Sequence, residues 1–304
     1  MDSSRKCIAI CCHGFLGEKG MLKEIEETLK TEPFDQIYDR VSNLTYYSSK
    51  YGINFTRRYD LKTPIYKKNT DQTLAHNLFV KICSVLKDYN EEVTIDIFAH
   101  SMGGLVTRSM IKYLSSEKDN GIWIRNGLIR NIFLLGTPNY GTRLAQHAIN
   151  IPVDIILTGL NLLLELPDGV TSEDLQILNS QFIQMTPNSS FLKQLNQRSR
   201  NIEKSINWVT VRGLKWIRQL GWLPLVWQPF FFRKIRIDSH FPFIHVGIIP
   251  NDGLVDASRV PLKYATNLTV PSATHMDLLH WKRKPSGKQV LDLLKQIILA
   301  EKEN

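Results

Sequence analysis

The feature that most constrains the fold of this chain is a serine placed between an apolar run and an amphipathic run. Residues 99–104 read Ala-His-Ser-Met-Gly-Gly, after a strand-like run and at the start of a helix-like run. A tight strand-to-helix turn needs small residues two positions before and after its apex, because larger side chains would meet the neighbouring strand and helix. Ala99 and Gly103 meet that need, so we expect Ser101 to project above a sheet at a helix N-terminus. The simpler interpretation is that Ser101 only caps the helix.

Strand-like and helix-like runs alternate along the chain. Strands are predicted over 6–12, 37–47, 93–99 and 128–135, and helices over 21–31, 70–89 and 102–114. This alternation of strands and helices implies right-handed crossovers and a mostly parallel sheet covered by helices on both faces. Later strands are predicted over 206–211, 243–249 and 267–270, and a closing helix over 289–299. We therefore predict an α/β fold, with all of 1–304 in one domain.

The composition is that of a folded protein with an excess of positive charge. Of the 304 residues, 43% are hydrophobic and 22% are charged. No apolar run reaches the roughly 18 residues that suggest a membrane span. The net charge of +9 permits binding to an anionic lipid or nucleic-acid surface without requiring either.

The N-terminal segment and the cysteines favour a reducing environment. The first apolar run has no small-residue cleavage site after it, which favours a strand over a secretory signal peptide. The cysteines lack metal-ligand spacing and are interpreted as reduced, buried side chains: Cys7, Cys11, Cys12 and Cys83. We expect a cytoplasmic location, and export without a signal peptide stays open.

Five segments, in this order along the chain, resemble the α/β-hydrolase superfamily in its lipase and serine-esterase branch, which includes inositol-deacylase-like esterases. The segments resemble the oxyanion loop (13–17), the nucleophile turn (99–104), a Gly-Thr-Pro segment (135–142), the acid loop (251–255) and the histidine loop (274–277). Ala99 replaces the usual first glycine of the turn, and Thr142 replaces the usual serine of the Gly-Thr-Pro segment. The resemblance covers most of the chain. It implies the α/β-hydrolase fold, with a mostly parallel central sheet, helices on both faces and a helical cap or lid insertion.

The resemblance implies a catalytic triad of Ser101, Asp252 and His275. A serine hydroxyl is a weak nucleophile that needs an adjacent base, and the base needs a carboxylate to fix its tautomer. In this fold the order along the chain is serine, acid, histidine. Asp252 lies in a Pro-Asn-Asp-Gly turn after a predicted strand, and His275 lies between the last predicted strand and the last predicted helix.

Other residues remain candidates for the acid and for the base. Asp256 is the main alternative acid and Asp238 a further one, while Asp252 also suits a plain turn before glycine. Three other histidines follow the serine near these acids: His240, His245 and His280. Of these, His245 lies in a predicted strand and His280 in a predicted helix. Two more are expected to pack and hydrogen-bond around the turn: His13 and His100.

An oxyanion needs two backbone donors already in position. The N–H of Met102, directly after the serine, is one candidate donor. The N–H of Phe15, which follows His13-Gly14, is the other, because glycine lets the backbone approach closely. The simpler interpretation of 13–17 is a turn that only ends the first strand.

Two segments are interpreted as covers over the site. Residues 140–200 contain helical apolar stretches and no convincing strand, which predicts a helical cap. Residues 214–242 combine aromatic side chains with Lys and Arg and form a possible lid, with Trp222, Trp227 and Phe231 as candidate substrate contacts. This composition suits an acyl pocket or contact with an anionic membrane surface, and both stay open. No nucleic-acid motif accompanies it, so no nucleic-acid partner is expected.

These patterns predict a carboxylic ester hydrolase, a lipase or lipid-type esterase that acts on an apolar acyl substrate through an acyl-serine. No cofactor and no metal ion are expected. The resemblance leaves open phospholipase, thioesterase and acyltransferase activities, which share the acyl-serine. A non-catalytic binding module with the same fold is the alternative from another class.

Overall fold

A computed structural model of the chain describes residues 6–15, 17, 19–47, 63–114, 119, 124, 127–148, 179–197, 204–215 and 250–300. Within this part, six strands form one sheet: β1 (Lys6–Cys12), β2 (Arg40–Leu44), β3 (Val93–His100), β4 (Ile129–Leu135), β5 (Asn207–Leu214) and β6 (Thr266–Pro271). The strand order is β2-β1-β3-β4-β5-β6, and every neighbouring pair is parallel. The order reverses between β1 and β3, and open sheets bind ligands at the carboxyl ends of strands beside such a reversal.

Seven α-helices lie in the described part of the chain: α1 (Lys23–Leu29), α2 (Leu74–Leu86), α3 (Met102–Leu114), α4 (Arg143–Ala148), α5 (Asn179–Met185), α6 (Ser190–Leu195) and α7 (Pro285–Ala300). Short 3-10 turns occur at Lys19–Leu22, Phe34–Gln36 and Ala257–Arg259. None of the helices described here is long and apolar enough to cross a membrane.

The pattern of β1 explains why helices cover both faces of the sheet. Ile8 and Ile10 pack in one apolar cluster with side chains of α2 and α3. Ala9 and Cys11 pack in a second cluster with side chains of α1 and α7. Because successive side chains of a strand point to opposite faces, the continuous apolar run after Lys6 is buried on both faces. Burial of each isoleucine contributes about 1.5–3 kcal/mol.

Helix α2 shows how a local cap sets an element boundary. Its periodicity predicts a helix over 70–89, but the helix begins at Leu74. The side chain of Thr73 accepts a hydrogen bond from the His76 N–H at 3.1 Å. The first N–H groups of a helix have no partner inside it, and this bond satisfies one of them. The helix therefore begins directly after Thr73.

The predicted sheet and its covering helices are confirmed, with β1 and α3 at the predicted bounds. The placement of His280 in a helix is wrong. His280 precedes α7, and its Nδ1 lies 3.4 Å from the Glu24 carboxylate. Helix α7 begins at Pro285, because proline suits the first turn of a helix and disfavours helical backbone in the residue before it.

Several predictions fall on residues that the structure does not describe. The described part of the predicted cap, 140–200, is helical (α4, α5 and α6), and 149–178 and 198–200 lie outside the described residues. The predicted strand over 243–249 also lies outside them. So does the range 216–249, which holds most of the aromatic and basic insertion and includes Trp222, Trp227 and Phe231.

The four cysteines are buried and form no disulfide within the described residues, in agreement with their interpretation as reduced side chains. Burial raises the pKa of the Cys12 thiol to about 12. A thiol that stays protonated in the core acts as a small apolar side chain, and Cys12 packs beneath the loop that leads to the candidate site.

Candidate active site

Ser101 is the one residue between β3 and α3. Its φ of 53° is a left-handed conformation, which costs a residue with a side chain roughly 1–3 kcal/mol. Its N–H donates to the Leu135 carbonyl at 2.8 Å, which ties the turn to the end of β4. The side chain therefore lies at the N-terminus of α3, where N–H groups without helical partners favour negative charge.

Two glycines let neighbouring backbone approach this turn. A Cβ at Gly103 would overlap the backbone oxygen of His13, and a Cβ at Gly14 would lie 2.9 Å from the Cβ of Ser101. Any larger residue at either position would push the loop after β1 away from the serine. The predicted need for a small residue two positions after the serine comes from this contact with the β1 loop.

A buried carboxylate–imidazole pair lies beside the turn. His275 Nδ1 is 2.7 Å from Asp252 Oδ2, and the His275 N–H donates to the Asp252 carbonyl at 2.8 Å. Both side chains are almost fully buried. Because a carboxylate only accepts, Nδ1 carries the proton and Nε2 presents its lone pair. Among the described residues, Nε2 has no hydrogen-bond partner, Ser101 Oγ included.

The other oxygen of Asp252 is held by the backbone of its own loop. Oδ1 accepts hydrogen bonds from the N–H of Leu254 at 3.0 Å and the N–H of Val255 at 2.8 Å. These two bonds orient the carboxylate so that Oδ2 faces His275.

The alternative acid has other partners. Asp256 forms ion pairs with Arg259 at 3.1 Å and with Arg143 at 3.3 Å. Of these two acids, Asp252 is the one that contacts His275 in the described structure. The remaining candidates from the sequence lie outside the described residues: Asp238, His240 and His245.

His100 packs against the imidazole of His275. Their ring centroids are 4.5 Å apart, and His100 Nε2 lies 3.2 Å from the His275 carbonyl oxygen. Because a carbonyl only accepts, Nε2 carries the proton. Burial, helped by the neighbouring His275, lowers the pKa of His100 well below its ordinary value, so the ring is neutral. His100 therefore donates to the histidine loop and fixes its backbone.

The loop after β1 is fixed by Tyr46 and His13. The Tyr46 hydroxyl is 2.9 Å from the carbonyl oxygens of both His13 and Gly14. The His13 Nδ1 lies 2.8 Å from the Gly14 carbonyl oxygen, and burial lowers the pKa of His13 to about 4. These contacts fix the two peptide groups that precede Phe15, one of the two candidate oxyanion donors. The other, Met102, begins α3.

An open cleft lies over the turn, and Ser101, Gly14 and Phe15 line part of it. Its other walls are mainly apolar and come from α4, α5 and the loop after β5: Leu144, Phe182, Met185, Leu254 and Val255. A cleft with such walls suits an apolar chain more than a charged group. No group of His, Cys, Asp and Glu side chains suited to a metal ion occurs among the described residues.

The structure gathers most of the residues selected from the sequence at the carboxyl end of the sheet. Ser101 and Phe15 line the cleft, Met102 starts α3, and the Asp252–His275 pair lies beside the turn. Sequence reasoning missed Tyr46 and assigned no contact to Thr142. A tyrosine two residues after a short strand carries no pattern that would have revealed its two carbonyl contacts.

Comparison with solved structures places this architecture in a known class. Bacillus licheniformis lipase BlEst2 in its mature form aligns with a TM-score of 0.51 and 15% identity, over 97% of this chain and 93% of that chain. Staphylococcus hyicus lipase aligns with a TM-score of 0.50 and 15% identity, over 99% and 97% of the two chains. The phospholipase PlaB from Legionella pneumophila aligns with a TM-score of 0.52 and 14% identity, over 84% of this chain. This chain spans 46% of that phospholipase, less than half of its length.

The fold of this protein is therefore the α/β-hydrolase fold. At these identities the likeness concerns the fold alone. A family described as a domain of unknown function (DUF7379) matches residues 69–213, just under half of the chain, from the region before α2 to the end of β5. A comparison with curated protein sequences finds no match.

Proposed function

We propose that this protein is a serine hydrolase that cleaves carboxylic esters with an apolar acyl chain, with Ser101, His275 and Asp252 as its triad. The observation that carries the proposal is the buried Asp252–His275 pair, 2.7 Å apart, next to a serine with a φ of 53° at the end of β3. The strained backbone, the tautomer of His275 and the free Nε2 all suit a serine nucleophile with an imidazole base.

In the proposed reaction, Ser101 Oγ attacks the ester carbonyl carbon while His275 Nε2 takes the hydroxyl proton. The carboxylate of Asp252 stabilises the imidazolium that results. The tetrahedral intermediate collapses by breaking the carbon–oxygen bond to the alcohol, which leaves with the proton from His275. Water then attacks the acyl-serine with His275 as base, which releases the carboxylic acid and restores Ser101. Hydrogen bonds between catalytic groups are often long before substrate binds and tighten in the complex.

The N–H groups of Phe15 and Met102 are proposed to hold the oxyanion. Donors that are already in position stabilise the developing charge without reorganisation, and removal of one such donor typically costs about 10²–10³-fold in kcat. The contacts of Tyr46 and His13 with the loop, and the helical position of Met102, support this assignment.

An apolar acyl substrate is proposed from the walls of the cleft, where Phe182, Met185 and Leu254 lie near Ser101. We further propose that 1–304 form one domain in which 140–200 cap the site. Contact of 214–242 with an anionic membrane surface stays a prediction from composition.

The test combines covalent labelling with hydrolysis. A fluorophosphonate probe should label the wild-type protein at Ser101, and a series of p-nitrophenyl esters from acetate to palmitate should be turned over. Ser101→Ala should abolish labelling and lower kcat by about 10⁶-fold, because the acyl-serine can no longer form.

Ser109→Ala is the matched control for Ser101→Ala. Ser109 is a buried serine of helix α3, and its hydroxyl has no hydrogen-bond partner among the described residues, so its removal should leave labelling and turnover unchanged. Absence of labelling and of ester turnover in the wild-type protein would favour a non-catalytic binding module. Residual activity of Ser101→Ala within tenfold of wild type would contradict the proposed nucleophile.

A further inference from the structure

The hydroxyl and the backbone N–H of Thr142 together join three segments that line the cleft. Thr142 Oγ1 donates to the Leu254 carbonyl at 2.6 Å and accepts from the Leu144 N–H at 3.2 Å. The Thr142 N–H donates to the Met185 carbonyl at the end of α5 at 3.0 Å. The residue is buried. It therefore links the loop after β4, the acid loop and helix α5 through hydrogen bonds shielded from water.

The peptide groups of Leu254 connect this hydroxyl to the carboxylate of Asp252. The carbonyl of Leu254 accepts from Thr142, while its N–H donates to Asp252 Oδ1 at 3.0 Å. The opposite oxygen, Oδ2, is 2.7 Å from His275 Nδ1. A continuous series of hydrogen bonds therefore runs from Thr142 through Leu254 and Asp252 to His275. Movement of Leu254 would rotate the carboxylate and change its distance from the imidazole.

We infer that Thr142 is a positioning residue, which orients Asp252 toward His275 through the backbone of Leu254. The inference rests on the proposed function, since it assigns Asp252 the role of the acid. It also explains how the cleft wall is coupled to the triad, because Thr142 and Leu254 both line the cleft. An acyl chain packed on this wall would press on the segment that orients the acid.

Two substitutions separate the hydroxyl of Thr142 from its methyl group. Thr142→Val keeps the shape and removes the hydroxyl, and Thr142→Ser keeps the hydroxyl and removes the methyl. For a short soluble ester, Thr142→Val should lower kcat about tenfold, the equivalent of one lost hydrogen bond, with KM within about twofold of wild type. Thr142→Ser should restore kcat to within about threefold of wild type.

Arg143→Met is the matched control, because Arg143 adjoins Thr142 and contacts the same loop through Asp256 without touching the series of hydrogen bonds. Its kcat should be unchanged. Active sites are counted by fluorophosphonate labelling, so kcat refers to folded enzyme only. A threonine that served only the fold would change the labelled fraction and the melting temperature and leave kcat per labelled site intact.

Equal kcat for Thr142→Val and wild type, in a wild-type protein that labels and turns over ester, would overturn the inference and leave the proposed function standing. If the fluorophosphonate probe does not label the wild-type protein, the proposed function itself is contradicted. Thr142→Ala provides a second variant if Thr142→Val does not fold, and the same tenfold loss is expected. If neither folds while Thr142→Ser does, the hydroxyl serves folding and the inference is wrong.

Discussion

At the scale of single residues, Asp252 and Asp256 show how two carboxylates four positions apart meet different surroundings. Asp252 accepts from two backbone N–H groups and from His275, so its charge is held in one orientation against an imidazole. Asp256 faces two arginines, and its charge joins the acid loop to the residues around it. Only the first arrangement stabilises an imidazolium.

Asp252→Asn should therefore lower kcat by about 10³–10⁴-fold, since a neutral amide neither stabilises the imidazolium nor selects the correct tautomer. Asp256→Asn is the matched control and should keep kcat within about tenfold of wild type, because its partners are not catalytic groups. Steady-state kinetics on a short p-nitrophenyl ester measures both. A larger loss for Asp256→Asn would mean that the acid is misassigned.

At the scale of elements, helix α6 is attached to helix α3 through its C-terminal end. The ammonium group of Lys112, on α3, donates to three backbone carbonyls in and just after α6 at 2.9, 3.0 and 2.9 Å: those of Gln194, Leu195 and Gln197. A cation suits a helix C-terminus, where carbonyls have no helical partner. Because α3 begins directly after Ser101, part of the predicted cap is attached to the helix that follows the proposed nucleophile.

Lys112→Met should lower the free energy of unfolding by about 2–4 kcal/mol, because it removes the ammonium donor from three backbone carbonyls, the buried Leu195 carbonyl among them, while it keeps the apolar stem. Lys193→Met, on the exposed side of α6, is the matched control and should change stability by less than about 0.5 kcal/mol. Urea unfolding measures both. Equal effects of the two substitutions would mean that the attachment adds nothing to stability.

At the scale of the whole molecule, stability depends on two buried histidines that remain neutral. Burial lowers the pKa of His13 to about 4 from 6.5, and it lowers that of His100 in the same direction. In the unfolded chain these imidazoles bind protons near pH 6.5, while in the folded protein they bind protons only at lower pH. Their contribution to stability is therefore complete above pH 6.5 and decreases as the pH falls toward 4.

The free energy of unfolding should decrease by about 2 kcal/mol from His13 alone when the pH falls from about 8 to about 5. The substitution His13→Gln removes the titrating imidazole, so the part of the pH dependence that comes from His13 should be absent in this variant. Urea unfolding at several pH values checks both statements. An identical pH dependence in His13→Gln and wild type would exclude His13 as a contributor.

Much of the fold follows from local patterns in the sequence. After Lys6, β1 is apolar at every position, and α3 follows a turn with small residues on both sides, so both have the predicted bounds. Boundaries that depend on capping or pairing are less predictable. Strand β5 was predicted to end at Val211 but continues to Leu214, because β6 pairs with it along that whole length.

The pattern that indicated the strand-to-helix turn at Ser101 is local, because its small residues lie within a few positions of the serine. The contacts of that turn with His13 and Leu135 form only when the chain folds. Only the tertiary structure decided which carboxylate contacts His275, because Asp252 and Asp256 lie in one loop and differ little in local pattern. That contact forms between residues distant in sequence, through the loops after β5 and β6. The same holds for Tyr46 and Thr142, whose partners are backbone carbonyls. A carbonyl is present at every position of a chain, so only folding selects which of them a side chain reaches.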